Sequence, residues 1–143
     1  SEAKPDIVAA LKSENVWLRY SAAMACSAIG KDAESLASVA LPLLKDESLV
    51  VRVRVAEFLG LINKLDPQSI LASVVNETSN PVEAAEALNS IVYFRDCHQP
   101  AYAIDASRLK PQTKDDAITR RIDYLNDDPY KTNKVKKPAR KKK

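Results

Sequence analysis

Residues 48–60 read SLVVRVRVAEFLG. Val51-Arg52-Val53-Arg54-Val55 alternates apolar and polar side chains with a period of two, and valine favours strands. Ala56-Glu57-Phe58-Leu59 then continues as a helix would. A strand here would make a small mixed domain. A helix requires a signal stronger than local propensity.

That signal is an internal repeat. Leu11-Lys12-Ser13-Glu14-Asn15-Val16-Trp17-Leu18-Arg19 aligns without a gap on Leu44-Lys45-Asp46-Glu47-Ser48-Leu49-Val50-Val51-Arg52, at an offset of 33 residues. The register continues through Ala23 over Ala56, Cys26 over Leu59 and Ile29 over Ile62. The first copy is alanine-rich and has no strand character. Its apolar residues Leu18, Ala22, Ala25, Cys26 and Ile29 fall on one helical face. The second copy shares that pattern through Val51, Val55, Phe58, Leu59 and Ile62, so 48–60 is predicted to be helical, with Ser48 as its N-cap. A looser third copy begins at Asn80, a capping residue, with Pro81 at the first helical position.

Three helical pairs follow from this register. Their first helices are expected at about 5–12, 33–45 and 67–77, and their second helices at about 15–30, 48–63 and 80–95. A short helix is expected within 100–109. A last one is expected at 115–126, with Ala117, Ile118, Ile122 and Leu125 inward and Asp115-Asp116 at its favourable N-terminal end. The predicted fold is all-α: a short α-solenoid of about three stacked hairpins plus a terminal helix over 1–126, then a disordered basic tail over 127–143.

Composition agrees. The 143 residues include only Gly30 and Gly60 as glycines, too few for the turns of a β-rich chain. Hydrophobic residues make up 45%, a globular value, and no apolar run reaches the length of a membrane span. Ser1 is not methionine, so a processed chain or a piece of a longer one is expected. Residues 131–143 hold 8 of the 22 basic residues and none of the 19 acidic ones, which leaves 14 against 19, or −5, for residues 1–130. Cys26 and Cys97 form no disulfide framework, and Cys26 reads as a buried free thiol.

The frame L-K-D-E-S-x-x-V-R-x-x-x-A-E-x-L at 44–59 resembles HEAT repeats, with a looser copy at 11–26. The resemblance implies that the turn Asp and the Arg opening the second helix bond along the stack. Asp46 and Arg52 match those positions; the first copy keeps Arg19 but has Ser13 for the Asp, and Pro81 stands near the Arg position of the third. Arg54 falls over Ser21 and does not recur, so Arg52 is expected to matter more for stability than Arg54.

The order of segments is also similar to the C-terminal extension of bacterial sulfatases of the arylsulfatase type. It is carried by Trp17-Leu18-Arg19-Tyr20-Ser21-Ala22-Ala23, by 44–59, by Asn80 to Ile91, and by a closing helix with a lysine-rich tail. This resemblance implies a non-catalytic accessory or interaction module of a periplasmic or secreted enzyme whose catalytic domain lies elsewhere. A sulfatase nucleophile sits in Cys/Ser-x-Pro-x-Arg, which neither Cys26-Ser27-Ala28-Ile29 nor Cys97-His98-Gln99-Pro100 matches, and no cofactor is expected. The alternative is a free-standing HEAT scaffold binding a protein partner on its concave face.

Other candidates read as structural. His98 beside Cys97 lacks further ligands for a metal. Asp115-Asp116 and Asp127-Asp128 read as a helix start and an exposed terminus rather than as acid–base pairs. Trp17 and Tyr20 could line a concave surface, but packing between repeats is the preferred reading. The tail residues Lys134, Lys136, Lys137, Arg140, Lys141, Lys142 and Lys143 could bind nucleic acid or another polyanion, or act as a nuclear address; a solvated terminus is preferred.

Overall fold

The computed structural model describes residues 4–97 and 104–127. Every regular element among them is helical: α1 (Lys4–Leu11), α2 (Val16–Ile29), α3 (Ala37–Ala40), α4 (Leu49–Leu61), α5 (Gln68–Glu77), α6 (Pro81–Cys97) and α7 (Asp116–Asn126). No helix among the described residues is long and apolar enough to cross a membrane. Residues 128–143 of the tail, His98 and the start of the helix expected within 100–109 lie outside the described residues; Ala106–Arg108 forms a 3-10 turn.

The opening stretch is helical, and its packing explains its strand-like pattern. Val51, Val55, Phe58, Leu59 and Ile62 join one buried cluster with Leu11, Ala22, Ala23 and Cys26. Val53 and Ala56 join a second cluster with residues of α5 and α6. Helix α4 thus lies between two cores, and all three alternating valines are buried. Burying a side chain of this size stabilises by about 1.5 kcal/mol or more. The helix-propensity deficit of valine is at most about 0.7 kcal/mol, so burial decides the outcome. Arg52 and Arg54 leave by the two edges between the cores.

The helix ends are held locally. The Asn15 side chain accepts from the Trp17 N–H and Asn80 from the Val82 N–H, each at 2.9 Å. Asp115 accepts from the Ala117 and Ile118 amides, as its position predicts. Gly30 ends α2 at φ 65°, a conformation that disfavours a Cβ. Ser48 occupies the N-cap position of α4, but its hydroxyl makes no capping bond. Instead its amide donates to the Asp46 carboxylate at 2.9 Å.

Three expectations need correction. The helix expected at 33–45 is broken into a 3-10 segment (Gly30–Leu36), the single turn α3 and a second 3-10 segment (Leu41–Lys45). Pro42, near the start of the last, has no N–H to continue an α-helix. In α2 the buried face is Arg19, Ala22, Ala23 and Cys26, while Leu18 and Ile29 are 49% and 40% exposed. In α7, Ile118 and Leu125 are buried but Ala117 is exposed.

The second helix of each pair contacts the next: α2 packs on α4, α4 on α6 and α6 on α7. Bonds between residues 54 and 86 and between 57 and 90 show that α4 and α6 run in the same direction. Helices α1 and α5 pack against their own partners, α2 and α6.

Candidate interaction face and turn ladder

Two polar systems cross between the pairs, one at the turn edge and one on the face that α2, α4 and α6 share. At the turn edge, Arg19 donates to both carboxylate oxygens of Asp46, Nε at 2.7 Å and Nη2 at 3.0 Å. Its Nη1 donates to the Ser13 and Glu14 carbonyls at 3.0 and 2.8 Å. Arg52 repeats part of this one unit later: its Nε donates to the Asp46 carbonyl, and its Nη1 reaches Glu77 at 3.4 Å. Ser13 and Asp46 are 33 residues apart, as are Arg19 and Arg52. Each Arg therefore holds its own turn through a carbonyl and the following unit through a carboxylate. In the third unit Asn76 takes over, donating to the Arg108 carbonyl at 2.9 Å.

Asp46 is the carboxylate at the centre of this ladder. Burial alone would raise its pKa. The Arg19 bonds, the Ser48 amide and the charges of Arg19 and Arg52 outweigh that and hold it below its ordinary value of 3.8.

On the shared face, Arg54, expected to matter less than Arg52, is the hub. It bridges Glu57 at 3.0 Å and Glu86 at 2.9 Å, with a side chain only 18% exposed. Its Nε donates to the Tyr20 hydroxyl at 3.4 Å, and its guanidinium sits 5.5 Å from the Tyr20 ring centre. The Tyr20 hydroxyl donates to Glu86, and Ser90 donates to Glu57 at 2.6 Å. Burial opposes the Arg54 charge, but Tyr20, Glu57 and Glu86 outweigh it and the guanidinium stays ionised. Tyr20 on α2, Arg54 on α4 and Glu86 on α6 thus form one chain of contacts across three helices.

The surroundings of this network are apolar and open. Trp17 is 66% exposed, against the packing role preferred for it, and stands edge-on to Tyr20. Met24, Val82 and Tyr93 are exposed as well. A groove of about 430 Å³ runs over Met24, Arg54, Glu57, Leu61, Ser90 and Tyr93. A second, of about 330 Å³, lies between Trp17, Tyr20, Val82, Glu83 and Glu86. One Arg against Glu57, Glu83 and Glu86 leaves these grooves net acidic.

Cys26 is fully buried as expected, and burial pushes its thiol pKa up to about 11. Cys97 is exposed at the end of α6. Asp115 and Asp116 serve the start of α7. Glu57, Glu86, Ser90 and Tyr93 were not singled out in the sequence. The usable signal was register: Arg54 and Glu86 lie 32 residues apart and Glu57 and Ser90 lie 33 apart, which places each pair on neighbouring second helices.

Comparison with family models, with curated proteins and with solved structures finds no match to this chain.

Proposed function

We propose that this chain is a non-catalytic, HEAT-like α-solenoid that binds protein surface along the face of α2, α4 and α6, as the accessory C-terminal part of a sulfatase. The observation that supports an interaction role is the juxtaposition on that face of exposed Trp17, Met24, Val82 and Tyr93 with the Arg54–Glu57–Glu86 network. Aromatic residues, Met and Arg are the side chains enriched where protein interfaces carry their binding energy. The net-acidic grooves suit a partner segment carrying apolar residues and a Lys or Arg. The solenoid reading is supported by the 33-residue register and by the repeated Arg-to-turn bonding of Arg19 and Arg52. The link to a sulfatase rests on the resemblance of 17–23, 44–59 and 80–91 in order along the chain.

Two measurements test this. The coding sequence upstream of Ser1 is expected to specify a domain with a Cys/Ser-x-Pro-x-Arg motif; a start codon at or near Ser1 would leave a free-standing scaffold instead. With that catalytic domain supplied as a separate chain, binding is expected to blue-shift Trp17 fluorescence, since Trp17 is the sole tryptophan and is exposed. Binding that leaves the Trp17 emission unchanged, and survives Trp17→Ala and Tyr93→Ala, would move the interface off this face.

A further inference from the structure

Helix α2 carries an apolar stripe of which Leu18, Ala25 and Ile29 join no buried cluster among the described residues. Leu18, Ala22, Ala25 and Ile29 recur at helical spacing on one side. The 33-residue offset places them on Val51, Val55, Phe58 and Ile62 of α4. In α4 those four are buried in the cluster shared with Ala22, Ala23 and Cys26; this is the face by which α4 packs on the preceding second helix. In α2 the equivalent face is covered only at Ala22, which is 4% exposed. Leu18 and Ile29 are 49% and 40% exposed, and neither they nor Ala25 join a buried cluster.

The two ends of the row differ. At the far end α7 turns Ile118 and Leu125 inward and leaves Thr119, Arg120, Asp123 and Asn126 in solvent, with Tyr124 48% exposed and its hydroxyl bonded to Asp96. A row of stacked units needs such a polar outer face at its terminus. The α7 end has one, and the α2 end has bulky aliphatic side chains.

We infer that the stripe of Leu18, Ala25 and Ile29 is a docking face for one more helical pair of the same repeat. The inference rests on the stacked-repeat reading above. It extends the α2–α4 interface by one register: the incoming second helix would seat small residues on Leu18 and Ile29, as α2 seats Ala22, Ala23 and Cys26 on Val51, Phe58 and Ile62. A second copy of the chain meeting stripe to stripe would set bulky residues against bulky residues, so it fits less well.

The test is a chain in which residues 1–33, one repeat length, are duplicated in tandem ahead of residue 1. Denaturant melts are expected to show one cooperative transition with a higher midpoint than the 143-residue chain. Leu18→Glu in the original, now internal, copy should then raise the unfolded-to-folded ratio about tenfold or more, since it buries an unpaired carboxylate. The same substitution in the 143-residue chain should leave the midpoint unchanged. An added pair that melts separately, or a Leu18→Glu effect equal in both chains, overturns the inference. So does a dimer of the 143-residue chain in sedimentation that Ile29→Glu dissociates, because a second copy would then be the occupant. Arg19→Ala in the same melts separates the two levels: if it destabilises while the added pair fails to dock, only the docking face is wrong. If it has no effect, the stacked-repeat reading falls too.

Discussion

Arg19 on α2 and Asp46 in the turn before α4 hold each other by two bonds of 2.7 and 3.0 Å, and their side chains are only 9% and 4% exposed. The pair ties the first helical pair to the second. It is the least exposed ion pair among the described residues, and the remaining donors of Arg19 go to the Ser13 and Glu14 carbonyls and, at 3.5 Å, to Glu47.

Removing either partner leaves the other enclosed charge without its counter-ion, and although Arg19 keeps the Ser13 and Glu14 carbonyls and Asp46 keeps the Ser48 amide, the loss costs about 3 kcal/mol. Arg19→Ala and Asp46→Ala should each lower the unfolding free energy by about 3 kcal/mol, measured in urea melts. The double variant should lose clearly less than the sum, because the two residues act on one interaction. Additive losses would mean that the pair contributes little as a pair.

The depressed pKa of Asp46 makes this contribution pH-dependent. Its carboxylate binds a proton less readily in the folded state than in the unfolded one, whose ordinary value is 3.8. The stabilisation is therefore complete well above that value and is lost as pH falls through and below it. Asp46→Asn should be less stable than the parent at neutral pH, and its melting temperature should fall less steeply on acidification below about pH 4. Parallel acid profiles for the two chains would exclude Asp46 as the titrating group.

Arg54 should matter at least as much as Arg52, the reverse of the order that recurrence alone suggests. Arg54→Ala strands both Glu57 and Glu86 in partly buried positions, and should cost about 2 kcal/mol. Arg52 is more exposed and reaches Glu77 only at 3.4 Å, so Arg52→Ala should cost about 1 kcal/mol. Paired denaturant melts decide the order.

Gly60→Ala should destabilise although alanine is the better helix former by about 1 kcal/mol. A Cβ at Gly60 would stand 2.8 Å from the Phe94 ring and 2.8 Å from the Pro67 ring, both in packed surroundings. The expected net loss is about 1–3 kcal/mol, read from thermal or urea melts. A gain in stability would mean that Phe94 swings aside freely.

One thiol per chain should react promptly with an aromatic disulfide reagent. Cys97 is exposed, whereas Cys26 is fully buried with a pKa pushed up to about 11, so it is both shielded and protonated. Cys26 should react only in denaturant, and Cys97→Ser should abolish the fast phase.

Much of this architecture is legible in the chain. The register that sets Leu11 over Leu44 also sets Arg19 over Arg52, and the resemblance to HEAT repeats implies that these Arg residues and Asp46 bond at the turns. Helix boundaries followed from the capping residue Asn80, from the acidic start at Asp115-Asp116 and from the alanine-rich first copy, because caps, end charges and periodicity are local properties. The repeat also overruled the strand-like valines, since a second copy of one unit inherits the fold of the first.

What the register could not supply is which neighbour each face meets. The same stripe is core in α4, as Val51, Phe58 and Ile62, and surface in α2, as Leu18 and Ile29, because in the row α2, α4, α6 helix α4 has a neighbour on both sides and α2 only α4. Arg54 has no counterpart in the first copy, yet it became a hub because Tyr20 approaches it from α2 and Glu86 from α6. Local sequence determined most of the helices, though not the 3-10 breaks between Gly30 and Lys45. Only the lateral packing of α2, α4 and α6 decided which side chains are enclosed, because burial and ion pairing depend on residues some 30 positions away that a single helix does not contain.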